Sequence, residues 1–185
     1  MKNNYSINLV RDINGRGSDF FIRGLLPTES YSGVLFCKKR KKYYREKIAR
    51  GAFANSLKIN KPKLLINHKN NKELKCKSLN IFEGEKGLEF EAIVEYNEEL
   101  ARSYKDIKSL SFAFVPGLEA WTEQDNISRR TVYRFDKLIE ICILIDIKPA
   151  YEESKVTVLP IRKECDEIIE IKVLTRKSDA AIIKK

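Results

Sequence analysis

Leu138-Ile139-Glu140-Ile141-Cys142-Ile143-Leu144-Ile145-Asp146-Ile147 sets isoleucine at every second position. That period of two belongs to an extended chain, not to a helix. As a strand, it predicts one face of Ile139, Ile141, Ile143, Ile145 and Ile147 turned into the core. The other face carries Leu138, Glu140, Cys142, Leu144 and Asp146, which puts two carboxylates on an otherwise apolar surface. At about 3.3 Å per residue, Glu140 and Asp146 lie roughly 20 Å apart and cannot serve one site. Glu140, early in the strand and beside Cys142, reads as the more buried of the two. Its ordinary explanation is a salt bridge to one of the many lysines or arginines.

A second strand, Lys108-Ser109-Leu110-Ser111-Phe112-Ala113-Phe114-Val115-Pro116, carries a hydroxyl where an apolar residue is expected. Leu110, Phe112 and Phe114 share one face, and Ser111, Ala113 and Val115 the other. Ser111 is either a strand serine bonded to a nearby carbonyl or a nucleophile. The chain has one histidine, His68, at the end of the apolar run Leu64-Leu65-Ile66-Asn67-His68. A histidine where a short strand gives way to loop is half-buried and accessible. It is either a chance surface histidine or the general base, since no other side chain has an ordinary pKa near neutrality.

Around these stretches the chain reads as mainly β. The runs Tyr5 to Ile13 and Phe20 to Leu26, with Asn14-Gly15-Arg16-Gly17 between them, predict an opening hairpin. A short helix is expected near Gly51, with Phe53 and Leu57 on one face. Strands follow over Leu74 to Phe82 and Leu88 to Tyr96, the second alternating apolar residues with Glu89, Glu91 and Glu95. Asn97 caps a helix with Glu98 and Glu99 in its first turn and Leu100, Tyr104 and Ile107 as its apolar stripe. The polar stretch from Gly117 to Arg130, with the lone Trp121, reads as a long surface loop. Val156 to Leu159 and Ile168 to Leu174 are candidate strands, and Thr175 to Lys185 reads as a basic tail. The sum is a mainly β fold with a few helices (α+β), expected as one closed or nearly closed antiparallel barrel. Residues 1–160 form one domain in this reading, and 161–185 an extension open to processing.

Composition narrows the function classes. The 185 residues are 43% hydrophobic and 34% charged, and no apolar run reaches the length of a membrane span. The N-terminus lacks the apolar core of a signal peptide, so a cytosolic protein with reduced, mostly buried thiols is expected. The four cysteines, Cys37, Cys76, Cys142 and Cys165, form no C-x-x-C pair, and no metal site or cofactor motif is indicated. The formal charge of +10 is concentrated in Lys38-Lys39-Arg40-Lys41-Lys42-Tyr43-Tyr44-Arg45. This run reads as a solvated loop in preference to a nucleic-acid surface, with docking to an acidic protein partner as a third reading.

Six short blocks in order carry a resemblance: Arg50-Gly51-Ala52-Phe53, Leu64 to His68, Gly87-Leu88-Glu89-Phe90, Leu110 to Phe114, Leu138 to Cys142, and Pro149-Ala150-Tyr151. Together they resemble the tailed-phage prohead proteases, capsid maturation serine proteases related in fold to the herpesvirus assemblins. The resemblance implies a barrel of the herpesvirus-protease type. It makes His68 and Ser111 the catalytic histidine and serine and Glu140 the acidic member, with Cys142 where the family carries serine. Lys108-Ser109 and Leu74-Lys75 stand where the family has glycine-containing pairs. Arg129 and Arg130, expected on the loop before the Glu140 strand, become candidates for the oxyanion site, although two solvated arginines is an equal reading. The family further implies capsid protein and scaffold segments as substrates, self-processing, a homodimer or higher oligomer, no cofactor, and work inside the procapsid in the host cytoplasm.

Two other functions fit the same residues. One is a catalytically inactive capsid-assembly or scaffold-binding module. The other is a basic nucleic-acid-binding barrel using Lys38 to Arg45.

Overall fold

The computed structural model describes residues 19–124 and 127–161, in nine strands, two short α-helices and one 3₁₀ turn. Strand β1 (Asp19–Pro27) lies between β6 (Gly87–Val94) and β9 (Lys155–Ile161), and β5 (Cys76–Gly84) flanks β6. All pairs in this four-stranded sheet are antiparallel. The second sheet is built on β8 (Ile127–Leu144). Along one edge it receives β3 (Lys42–Ile48) and then β4 (Lys63–Ile66), both parallel, and along the other β7 (Ser109–Gln124), antiparallel. Strand β2 (Leu35–Cys37) ends the order beyond β3.

The mainly β expectation holds, but the strand pairing closes neither sheet into a barrel, and the second sheet is mixed. Two parallel pairs arise because β3 and β4 follow each other along the same edge of β8. The chain between them leaves that edge and makes α1 (Ala54–Ile59). Asparagine side chains serve the β8 carbonyls left over along the way: Asn55 Nδ2 donates to Phe135 O (3.5 Å) and Asn60 Nδ2 to Leu138 O (2.8 Å). One core fills the space between the sheets, joining Phe20, Ile22 and Phe90 to Ile48, Leu64, Leu110, Phe135 and Ile141. Gly24 permits that approach, since a Cβ there would stand 2.3 Å from the Phe90 ring and 2.5 Å from Leu110 Cδ1.

Helix α2 (Glu98–Ser103) begins as expected, with Asn97 Oδ1 accepting from Leu100 N (3.1 Å). Leu88, Phe90, Ala92 and Val94 are buried along β6, again as the alternation predicts.

Three expectations are corrected. Residues from Gly117 to Arg130 are not a long loop: strand continues to Gln124 and resumes at Ile127. The stretch looked like loop because its cross-strand partners are polar, such as Trp121 opposite Arg130 and Thr122 opposite Arg129. Only part of the basic run is loop, because Lys42 to Arg45 belong to β3. The isoleucine face is also broken. Ile141 and Ile143 are core, but Ile139 and Ile147 are exposed. The ladder passes from Ala113 opposite Glu140 to Phe114 opposite Leu138, so Ile139 is the extra residue of a bulge and Leu138 takes its place inside. Ile147 lies past the end of β8, beyond Asp146 in left-handed backbone (φ 56°).

The expected strands over Tyr5 to Ile13 and Ile168 to Leu174, and the basic tail, lie outside the described residues. Among the described cysteines all three are free, and only Cys142 is buried.

Gly24→Ala is expected to destabilise the fold by about 1–3 kcal/mol through overpacking against Phe90 and Leu110. Urea unfolding followed by circular dichroism measures it, and an unchanged midpoint would contradict the close approach.

Candidate active site

Three strands present one row of side chains. Leu65 on β4 and Ser111 on β7 both pair with Cys142 on β8, from opposite edges. Residues directly opposite in a ladder share a face, so Ser111 and Cys142 lie side by side, and Glu140 joins them two residues along β8. Ala113 is the residue opposite Glu140. This face around Ser111 is small and part-buried.

His68 reaches the same face because of how β4 ends. After Ile66, Asn67 and His68 both take left-handed backbone, with φ of 50° and 57°. Asparagine tolerates that conformation better than most residues. Its side chain also continues the ladder that the main chain is leaving. Asn67 Oδ1 accepts from Ile145 N (2.8 Å), Nδ2 donates to Ile145 O (3.1 Å), and the Asn67 backbone N–H donates to Ile143 O (3.0 Å). The turn folds His68 back over β8, where its backbone N–H meets Cys142 Sγ at 2.8 Å.

His68 Nδ1 then lies 2.5 Å from Glu140 Oε1. The carboxylate is buried, and an ionised carboxylate only accepts, so the contact uses the Nδ1 proton; in the neutral imidazole that tautomer leaves the lone pair on Nε2. The imidazole is open on its other side, with 40% of its side chain exposed. An imidazole with one ring nitrogen on a carboxylate and the other side open has the geometry that a general base requires. In place of the expected lysine or arginine, Glu140 is paired with the chain's one histidine.

Cys142 lies under this pair and is chemically quiet. Burial pushes its thiol up to about 11, which outweighs the lowering effect of the His68 N–H. At neutral pH it is a neutral thiol donating toward Ile143 O (3.6 Å), not a thiolate.

The strand bearing Ser111 is fixed from its outer edge. Ser154 Oγ donates to Leu110 O and accepts from Leu110 N, both at 3.1 Å. Ser154 is itself buried, and its N–H donates to Tyr151 O (3.0 Å) in a turn whose Tyr151 ring stacks on Phe112 (5.5 Å). Nothing in the local sequence Glu152-Glu153-Ser154 marks this serine. Its partner is 44 residues away.

Arg129 and Arg130 are not brought to this place. They stand within β8, opposite Thr122 and Trp121. Arg130 is committed to two carboxylates, donating to Glu46 Oε2 (2.7 Å) and, through Nε, to Glu119 Oε2 (2.8 Å). Tyr151 OH donates to Glu46 Oε1 at 3.0 Å, completing a part-buried network. Arg129 lies over the Tyr31 ring at 5.2 Å. Among the described residues no helix is long and apolar enough to cross a membrane, and no group of three or more metal-ligating side chains gathers.

Residues 29–169 match the family model described as caudovirus prohead serine protease. The chain belongs to that family. Searches of curated proteins and of solved structures gave no match. Membership makes the chain a serine protease of bacteriophage capsid maturation. The matched span includes the His68–Glu140 pair, Ser111 and the 151–154 turn of this prohead protease.

Two outcomes follow from the geometry. Asn67→Ala removes both side-chain bonds to Ile145 and should lower stability by about 1–3 kcal/mol, read by thermal or urea unfolding. Iodoacetamide near neutral pH should leave Cys142 unmodified in the folded protein, with alkylation rising as pH approaches the thiol value of about 11. Peptide mass mapping reads that result, and rapid labelling at neutral pH would contradict a quiet thiol.

Proposed function

We propose that Ser111, His68 and Glu140 are nucleophile, general base and orienting acid of an endopeptidase that cuts scaffold or capsid-protein segments inside the procapsid. The observation that carries this reading is the 2.5 Å contact between His68 Nδ1 and Glu140, on the face where Ser111 adjoins Cys142. Ser111 Oγ attacks the peptide carbonyl as His68 Nε2 takes its proton. The C–N bond of the tetrahedral intermediate then breaks, and His68 returns the proton to the leaving amine. Water, deprotonated by His68, hydrolyses the acyl-enzyme and regenerates Ser111. Glu140 keeps Nδ1 protonated in every step and stabilises the imidazolium. Because Arg130 is held on Glu46 and Glu119, it is assigned no part in these steps.

The same reading takes the chain as its own substrate and as a self-associating enzyme, as the family resemblance implies. In this reading the 161–185 extension is the segment that self-processing would trim. The place of action is the interior of the procapsid in the host cytoplasm.

The test is the intact mass of capsid protein and of this chain after co-expression, with wild type and with Ser111→Ala. Discrete fragments with wild type only are expected. Identical masses in both samples, with procapsids formed, would instead favour an inactive assembly module. Glu140→Gln should retain the fold and lower kcat by about two to four orders of magnitude, measured on a peptide spanning a cut site found in that experiment.

A further inference from the structure

We propose that an apolar strip beyond Glu140, formed by Val115 and Leu118 on β7 and Ile139 and Tyr133 on β8, selects the substrate polypeptide by an apolar side chain about four residues from the bond that is cut. The inference rests on the protease reading for its occupant and for the place of that bond.

The outward face of this sheet is closed on one side of Ser111 and open on the other. Toward the end of β8, Leu65, Cys142 and Leu144 share that face and are buried as a small cluster of their own. The turn after β4 lies over them, with the His68 N–H on Cys142 Sγ and the Lys69 N–H donating to Ile66 O (3.1 Å). A polypeptide laid across Ser111 meets that cover on one side, so its path along the sheet runs the other way, past Ala113.

Strand β7 is uninterrupted from Ser111 through Ala113 to Val115, so Val115 shares the face of Ser111. Leu118 pairs with Arg134, one pair beyond the inward Phe135, and returns to the same face. Both residues are exposed, Leu118 at 55%. All four register shifts of the β7–β8 ladder fall between Ala113 and Glu119. Two of the residues these shifts leave without a direct partner are Ile139 and Tyr133, and both are exposed. Bulges re-aim side chains and gather beside active sites. A single exposed apolar residue needs no explanation, but four on one strip running from a candidate nucleophile do.

Ser111 and Val115 are four positions apart on one strand, roughly 13 Å. An extended peptide advances at the same rate, which sets the side chain about four residues from the scissile bond over Val115. Burying one aliphatic side chain there gives a preference of about tenfold or more over a small polar one. A second copy of this chain seated on the strip would cover the approach to Ser111, which the protease reading needs open.

The test reads binding apart from cleavage. Labelled overlapping peptides that tile the capsid protein are titrated against the Ser111→Ala protein and followed by fluorescence anisotropy. At least one should bind, and changing one apolar residue in it to serine should weaken binding about tenfold. Adding Val115→Ser should weaken the parent peptide about as much and the serine-bearing peptide little, because both changes remove the same contact. Ile59→Ser, at an exposed position on α1, should alter neither. Peptide mass after incubation with wild type then places the cut about four residues from that apolar residue. Peptides that bind through Val115 but stay uncut would overturn the protease reading while supporting the strip as a polypeptide site. Absence of binding by every peptide, two changes whose effects simply add, a cut adjacent to the apolar residue, or dimerisation through Val115 in sedimentation would each overturn the proposal.

Discussion

The arrangement depends on the side chain of Asn67 standing in for a peptide group. Strand β4 runs parallel to β8 and must stop pairing at Ile66 so that the next residues can turn over the sheet. Leaving a ladder early exposes a backbone N–H and C=O that need partners. The Asn67 amide supplies both to Ile145 while its own backbone turns left-handed. Two successive left-handed residues cost about 1–2 kcal/mol each for most side chains. The two bonds to Ile145, and the His68 N–H on Cys142, offset that cost. A different residue at 67 would have to give up either the turn or the pairing, and His68 reaches Glu140 only through the turn.

Strand β8 makes the rest possible because it is paired on both edges. From one side β4 delivers the histidine, from the other β7 delivers Ser111, and β8 itself contributes Glu140 and Cys142. His68 and Ser111 are 43 residues apart in sequence (111 − 68), Ser111 and Glu140 29 (140 − 111) and His68 and Glu140 72 (140 − 68), yet ladder register and the turn at Asn67 set their relative placement. A register slip of one residue on β7 would turn Ser111 to the core side and Leu110 toward the histidine. The bulge at Ile139 is the first of four register shifts in the β7–β8 ladder, and all lie on the far side of Glu140, leaving the Ser111–Cys142 and Ala113–Glu140 pairs intact.

Local chemistry was legible in the sequence, and long-range pairing was not. The Asn97 cap, the alternation from Leu88 to Val94 and the oddity of Glu140 on an apolar face depend on neighbours within a few residues. His68 and Ser111 stood out because each broke the pattern of an apolar strand. The parallel placement of β3 and β4 leaves no local trace, since parallel and antiparallel strands alternate alike. The stretch from Gly117 to Arg130 was misread for a related reason. Its strands pair Glu119 and Arg130 across a hairpin, so the burial that defines them is electrostatic and not apolar. A hydropathy pattern carries no signal of that kind. Asn55, Asn60 and Ser154 were missed because a capping side chain resembles any surface polar residue until its partner is known.

Among the described residues the strand of Ser111 is paired along one edge, to β8, and such edges are the more mobile part of a sheet. The turn at 151–154 answers that weakness. Ser154 bonds both backbone groups of Leu110, Tyr151 stacks on Phe112, and the Leu110 side chain packs into the space Gly24 leaves. The residues on either side of Ser111 are therefore held from outside and from below, while Ser111 itself is placed by its ladder partner Cys142. Fixing the neighbours fixes the direction of a hydroxyl without covering it. A nucleophile gains from that combination, since its contribution depends on a geometry set before substrate arrives and on an open approach for the carbonyl.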